Sequence, residues 1–172
     1  MKIVSLMDNV SGKEEIGYEH GLSFYIETGR YKLLFDTGAG DLFWENARKL
    51  NIDLKDIDYA VISHGHYDHG GGLRRFLAEN SKADVFVKKK AFDKHYSRRP
   101  DGDTKDIGLD RELKDNKHLV FTGERFFITT GIELFSNVAE RDLYTPSNRN
   151  LLVETEEGLI EDMFEHEQNL IV

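Results

Sequence analysis

Short apolar runs alternate with turn-forming residues in the first part of the chain. Lys2 to Met7, Leu22 to Glu27 and Tyr31 to Phe35 are such runs, and Thr28-Gly29-Arg30 separates the last two. Two apolar runs joined by a glycine-containing turn are typical of a β-hairpin. We therefore predict an N-terminal strand followed by two adjacent strands of a hairpin.

The pattern then changes to one that favours helices. From Asp41 to Leu50 the apolar residues recur at spacings near three and four, which predicts an amphipathic helix. Tyr59 to Ile62 reads as a buried strand, and the polar, glycine-rich stretch Ser63 to Gly72 as a loop that leads into a helix beginning at Leu73. Rigid elements on both sides of a loop are well suited to hold residues that carry chemistry.

The second half of the chain is richer in predicted strands. Val85 to Val87 predicts a strand, Lys88 to Tyr96 a short helix and Ser97 to Asn116 a charged loop or lid. A final apolar run from Asn169 to Val172 is shorter than an average strand, so we expect the chain to stop within an element. The remaining predicted strands are Leu119 to Thr122, Arg125 to Thr129, Ile132 to Phe135 and Asn150 to Glu154.

Composition narrows the function classes. With 172 residues, 39% of them hydrophobic, we expect one domain over residues 1–172. The net charge of −9 argues against nucleic acid and anionic membranes and favours a small-molecule substrate. Because cysteine is absent, any metal must be bound by imidazole and carboxylate. No apolar run resembles a signal peptide or a membrane span, so we expect a cytoplasmic protein.

One segment carries a dense group of metal-ligand residue types. His64, His66, Asp68 and His69 lie within six residues. In a loop, His64 and His66 can point the same way while Asp68 and His69 turn towards a neighbouring position, which supplies ligands to two adjacent metal ions. Such ligands suit zinc, and also iron or manganese. A divalent ion of this kind lowers the pKa of bound water from 15.7 to about 7, and Asp68 could act as the general base.

Asp36 ends a predicted buried strand. Its carboxylate is expected to accept the second N–H of a ligating histidine and so fix the tautomer of that histidine. The alternative is a turn residue that caps the helix near Asp41.

Three further features have weaker functional interpretations. We expect His20 to be a solvated loop residue. Basic residues at positions 88–90 and 98–99 fit a solvated surface better than a site for a phosphate or carboxylate. Gly70 to Gly72 either present helix amides to an anion or serve only the turn.

The succession of Phe35-Asp36-Thr37-Gly38, a helix, a strand and the segment Ser63 to Gly70 resembles the metallo-β-lactamase superfamily. Gly21 to Thr28, Gly70 to Gly72 and Phe164 to Gln168 further resemble its dihydropterin aminobenzene-phosphate synthase-like branch. The resemblance implies an α/β (α+β) fold, an αββα sandwich with metals at one edge of the sheets. It also implies hydrolysis of a small ester-, phosphate- or lactam-like substrate by a metal-activated hydroxide.

The same resemblance implies ligands that are hard to place in this chain. Family members add a histidine after a later strand, a bridging aspartate and a histidine near the C-terminus. After His69 the chain offers His95, His118 and His166, and we expect all three to be surface residues.

We therefore expect residues 1–172 to be the N-terminal part of a longer protein. These residues are then expected to lack most of the second sheet. A homodimer or a partner chain would then cover the exposed sheet. An iron-dependent redox enzyme and a non-catalytic metal-binding module are the alternative functions.

Overall fold

The computed structural model describes residues 1–138 and 146–172. The described helices are α1 (Leu42–Lys49), α2 (Tyr67–Gly70) and α3 (Leu73–Glu79). The described strands are β1 (Lys2–Met7), β2 (Ser23–Glu27), β3 (Lys32–Phe35), β4 (Tyr59–Val61), β5 (Asp84–Val87), β6 (His95–Arg98), β7 (Thr104–Asp106), β8 (Leu119–Phe121), β9 (Arg125–Thr129), β10 (Ile132–Phe135), β11 (Leu151–Thr155), β12 (Gly158–Glu161) and β13 (Asn169–Ile171).

The largest sheet has six strands in the order β1-β2-β3-β4-β5-β8. Strands β1, β2 and β3 are antiparallel, whereas β3, β4, β5 and β8 run parallel. Ala60 and Val61 of β4, like Val85, Phe86 and Val87 of β5, are buried. Strands covered on both faces are expected to be continuously apolar, as these are.

Helices cover one face of this sheet. Helix α1 directs Phe43, Trp44 and Ala47 into the main core, and α3 adds Leu73 and Phe76. The spacing of these residues places them on one side of each helix, so their burial stabilises both the helices and the sheet beneath.

A three-stranded sheet, β13-β10-β9, packs on the opposite face. Leu134 of β10 contacts Val61 and Phe86, and Ile132 belongs to a second cluster with Ile26 and Leu33. A further sheet, β12-β11-β6-β7, lies beside them. The described residues thus form a layer of helices, the six-stranded sheet and a second layer of sheet. A homodimer or a partner chain that covers the outer face stays a prediction.

The N-terminal half of the predicted pattern is confirmed. The hairpin of β2 and β3 and helix α1 lie where the sequence places them. The segment Ser63 to Gly72, predicted as a loop, contains α2, because backbone bonds from Gly70 N to His66 O and from Gly71 N to Tyr67 O close one helical turn.

Two predictions on the second half were wrong, and one strand was missed. The predicted helix from Lys88 to Tyr96 is a 3-10 turn at Lys89–Phe92 followed by β6. The predicted loop from Ser97 to Asn116 contains β7 and another 3-10 turn, and β12 was not predicted. Strand β6 forms because it pairs with the distant β11, and β7 and β12 are edge strands with exposed residues. Such strands leave little periodic signal in the sequence.

Helix length bears on membrane insertion. Among residues 1–138 and 146–172, no helix is both long and apolar enough to cross a membrane.

The arrangement of the parallel strands decides where chemistry can occur. Strands β3, β4 and β5 end at the same edge of the large sheet. Ligands of open α/β sheets bind at the carboxyl ends of the strands. Asp36 follows β3 and the histidine-rich segment follows β4, so both lie at this edge.

Candidate metal centre

Asp36 organises the start of the histidine segment. Its carboxylate is fully buried and accepts hydrogen bonds from Ser63 N, Ser63 Oγ and His69 Nδ1, each at 2.7 Å. Burial raises the pKa of Asp36, although the hydrogen bonds from His69 and Ser63 oppose the rise. The structure thus provides the contact that the predicted supporting role of Asp36 requires. Asp36 does not cap α1, whose first turn has no side-chain cap.

These bonds leave the outer nitrogens of two histidines available. His69 Nδ1 faces the Asp36 carboxylate, so Nδ1 carries the proton and Nε2 keeps its lone pair. His64 Nδ1 lies 2.9 Å from Ser63 Oγ, whose own hydrogen points to Asp36, so His64 Nε2 is also unprotonated. Metal-binding histidines commonly show this pattern, in which the other ring N–H is held by a carboxylate or another acceptor.

The ionisation of the two side chains differs. Burial, reinforced by nearby His69 and His66, lowers the pKa of His64 well below its ordinary value. Burial also acts to lower the pKa of His69, but the hydrogen bond and charge of Asp36 outweigh it and the net shift is upward. Protonation is therefore disfavoured at His64 and favoured at His69.

Asp68 and His69 lie in α2, and the His69 ring packs against the His64 ring with the two centroids 4.1 Å apart. The Oδ2 atom of Asp68 is 3.6 Å from His69 Nε2 and 3.3 Å from His20 Nε2. His20 was expected to be a solvated loop residue, and its side chain is indeed exposed, yet its imidazole contacts Asp68. With side-chain exposures of 20% for His69 and 16% for Asp68, this half of the centre is less buried than the group around His66.

His66 faces a second group of buried side chains. Its Nε2 atom lies 3.3 Å from Asp162 Oδ2, which is also 3.2 Å from His95 Nδ1 and 2.9 Å from His166 Nε2. All four residues are buried, and one ligand atom from each lies within 4.8 Å of the others. Burial alone would raise the pKa of Asp162, but the imidazoles of His166, His66 and His95 hold the pKa well below its usual range.

The C-terminal segment reaches this position because it is bound to the ends of β4 and β5. Gln168 N donates to Ser63 O at 2.8 Å, and Gln168 Nε2 donates to Ile62 O and Phe86 O. Gly65 N donates to His166 Nδ1 at 2.8 Å. These bonds place Asp162 and His166 beside the histidine segment, about 100 residues away in sequence.

The expectation that His95 and His166 are surface residues was therefore wrong. Their exposed fractions are 1% and 2%, whereas His118 is half-buried and outside the group. Asp162 was not singled out from the sequence at all. The segment Phe164 to Gln168 drew attention only as part of a family resemblance, and that was the one available signal.

The chain is similar to known proteins in both sequence and structure. The family model for the metallo-beta-lactamase superfamily matches residues 16–163. The chain belongs to this superfamily. A crystallised metal-dependent hydrolase of the β-lactamase superfamily is 33% identical, with a TM-score of 0.76 over 99% of this chain and 60% of that chain. The αββα metallo-β-lactamase fold is thereby shown.

Two archaeal relatives of this superfamily member come from Methanocaldococcus jannaschii. An uncharacterized protein is 38% identical over 113 residues, which are 64% of this chain and 41% of that protein. The 7,8-dihydropterin-6-methyl-4-(β-D-ribofuranosyl)-aminobenzene-5′-phosphate synthase is 32% identical over 108 residues, 59% of this chain and 37% of the synthase. The matches thus span about two fifths of the length of these two relatives. The predicted resemblance to the synthase-like branch is confirmed.

The side chains of the candidate metal centre are suitable ligands for a divalent cation. Metallo-β-lactamases take their name from bound metal, and the donors here are imidazole nitrogens and carboxylate oxygens, which suit zinc, iron and manganese. Asp36 orients His69, as the support of a metal ligand requires. The identity of the metal is not fixed by such a donor set.

The glycines and lysines near the centre have structural roles. Gly65, Gly71 and Gly72 pack against backbone atoms, which supports the interpretation that the glycines serve the turn. Lys88 Nζ donates to Gly123 O at 2.6 Å and Lys90 pairs with Glu165. The two lysines bind different partners and do not form a shared anion site.

Proposed function

We propose that this chain is a metal-dependent hydrolase that acts on a small ester-, lactone- or phosphate-like molecule. The observation that carries the proposal is the meeting of two groups, His64, Asp68 and His69 on one side and the buried group of His66 on the other, at the carboxyl edge of the large sheet. A divalent ion bound there supplies Lewis acidity and an acidified water. We propose zinc, with iron or manganese as the alternatives.

The chain's own residues would orient the reactants and move the proton. The Asp68 side chain is 16% exposed, and its Oδ2 atom is held between His20 and His69. A carboxylate in that position can accept a proton from an attacking water, which is the role we propose for it. Asp36 would keep His69 in the tautomer that presents Nε2 towards Asp68.

A cavity of about 200 Å³ reaches the centre from the side of β11 and β12. His95, Asp162 and His166 line its inner end. Its wall carries several carboxylates, among them Asp93, Glu154 and Glu165, against the single lysine Lys90. An acidic wall disfavours anionic ligands, so we propose neutral esters and lactones as better substrates than phosphodiesters.

Turnover and its dependence on His66 test the proposal. The zinc-loaded chain is assayed on p-nitrophenyl acetate, a chromogenic lactone, a chromogenic β-lactam and bis-p-nitrophenyl phosphate. We expect turnover of a neutral substrate that a chelator abolishes and zinc restores, and a loss of roughly 100-fold or more in His66→Ala, because a central imidazole is removed. The matched control is His118→Ala, which removes a histidine outside the centre.

Two results would contradict hydrolysis at this site. One is turnover that survives both chelation and His66→Ala. The other is a metal-loaded protein that hydrolyses none of the four substrates, which would favour a non-catalytic metal-binding module. Metal analysis and an absorption spectrum of freshly purified protein distinguish zinc from iron, and iron would favour redox chemistry on this fold.

A further inference from the structure

Three histidines contact one carboxylate in the buried group, and their hydrogen bonds show that they do so in different ways. Asp162 accepts a backbone hydrogen bond from Phe164 N at its Oδ1 atom. Its Oδ2 atom faces His66 Nε2, His95 Nδ1 and His166 Nε2 at 3.3, 3.2 and 2.9 Å. Which ring nitrogen of each histidine carries a proton can be read from the group on the other side of the ring.

His166 needs no cation to contact Asp162. Gly65 N–H donates to His166 Nδ1 at 2.8 Å, and a backbone amide can only donate. The proton of the neutral ring is therefore on Nε2, from which it points to the Asp162 oxygens at 2.9 and 3.2 Å. Because Nδ1 accepts this backbone hydrogen bond, the His166 ring is neutral. Both ring nitrogens are used, and neither has a lone pair left for a metal.

His95 shows the opposite arrangement. Its Nε2 atom lies 3.2 Å from Lys90 O, and a backbone carbonyl can only accept. Nε2 therefore carries a proton, and Nδ1 faces the Asp162 carboxylate at 3.2 Å, where this nitrogen can hold a proton or bind a cation through its lone pair. A divalent cation can replace the Nδ1 proton between these two atoms, since a histidine nitrogen must be deprotonated to bind a metal.

His66 Nε2 is a third possible metal ligand, beside Asp162 Oδ2 and His95 Nδ1. Metal bonds of about 2.0–2.1 Å in tetrahedral geometry place neighbouring ligand atoms roughly 3.3 Å apart. The distances from Asp162 Oδ2 to His66 Nε2 and to His95 Nδ1 are 3.3 and 3.2 Å. The spacing is thus that of metal ligands, although each of the three residues comes from a different part of the chain.

We propose that His66, His95 and Asp162 form a three-ligand site for a divalent cation, and that His166 is a positioning residue that orients Asp162 without binding the cation. A site with three protein ligands leaves a coordination position for water or substrate. A cavity that His95 and Asp162 help to line adjoins this group. This assignment rests on the proposed function, but its test measures cation binding and does not depend on turnover of a substrate.

The same substitution at two histidines separates a ligand from a positioning residue. The chain is stripped of metal and titrated with Co²⁺, and binding is followed by visible absorption and by equilibrium dialysis. His95→Gln removes a ligand, so we expect cobalt binding at this site to weaken more than about 100-fold. His166→Gln keeps an N–H for Asp162, so we expect an affinity within about threefold of wild type and an unchanged spectrum. His166→Ala lacks that N–H and should lose roughly 10–100-fold.

The outcomes decide whether His166 is a ligand or a positioning residue, and whether the cation binds at this group. If His166→Gln loses cobalt as severely as His95→Gln, His166 is a ligand and the assignment is wrong. If His95→Gln binds cobalt like wild type, the cation is not held at this group. His118→Ala and circular dichroism melts control for unfolding. Failure of hydrolysis alone would leave the cobalt result standing, so the two proposals fail separately.

Discussion

Replacing Gly71 by alanine is expected to lower the free energy of unfolding by about 3 kcal/mol or more. Gly71 follows α2, where the chain passes close to the segment after β3. A Cβ atom on Gly71 would lie 2.5 Å from both the Ala39 carbonyl carbon and Tyr67 O, which are backbone atoms that side-chain rotation cannot move aside. The backbone of the histidine segment would have to shift, so metal affinity should fall together with stability.

Chemical denaturation with and without zinc measures both effects. Gly29→Ala is the matched control, because a Cβ atom there meets nothing within 4 Å and the residue does not have a positive φ. Alanine at such a position changes stability by less than about 1 kcal/mol, often upwards. A Gly71→Ala protein as stable as Gly29→Ala would contradict the close packing described for α2.

Replacing Asp36 by asparagine is expected to weaken zinc binding by about 10–100-fold while the chain still folds. Asp36 has a φ of 60°, a conformation that asparagine tolerates well. The amide oxygen can still accept from Ser63 N. The amide NH₂, however, would donate to His69 Nδ1 and move the imidazole proton to Nε2, the nitrogen that faces Asp68.

Zinc affinity measured by competition with a chromogenic chelator checks this result, with a thermal melt to monitor folding. Asp58→Asn is the control, because Asp58 accepts from Lys32 N and Lys82 Nζ before β4, at the opposite end of that strand. Unchanged zinc affinity in Asp36→Asn would show that the tautomer of His69 does not matter to metal binding.

The part of the fold that the sequence predicts well is the part that depends on local pattern. The hairpin of β2 and β3 and helix α1 follow from short-range periodicity and a turn signal, and both are as predicted. Strand β6 depends instead on pairing with β11, more than 50 residues later. Residues such as Lys94, His95 and Tyr96 carry no strand periodicity, so a helix was predicted there.

The candidate site divides in the same way. His64, His66, Asp68 and His69 lie close together in sequence, and Asp36 ends the preceding strand, so a single motif identifies them. His95, Asp162 and His166 join the site through contacts between distant parts of the chain, among them hydrogen bonds with sequence separations of 67 to 101 residues. A lone histidine among charged residues, as in Glu165-His166-Glu167, is indistinguishable from a surface residue until its burial is known.

The chain spans only part of the length of the relatives that it matches. The 32% identical synthase shares 37% of its length with this chain, and the 33% identical crystallised hydrolase shares 60%. Reactions of the two whole proteins therefore do not transfer to this chain directly. The buried group around Asp162 belongs to the chain itself and makes its metal binding testable without reference to either relative.

Anomalous diffraction from crystals of the chain grown with Zn²⁺, recorded on both sides of the zinc edge, tests the metal centre most directly. We expect an anomalous peak about 2.0–2.2 Å from His66 Nε2, His95 Nδ1 and Asp162 Oδ2, with His166 Nε2 outside bonding distance. A second peak is expected beside His69 Nε2 and Asp68. A zinc-saturated crystal with no anomalous peak at His66, His95 and Asp162 would show that these three residues do not bind the metal.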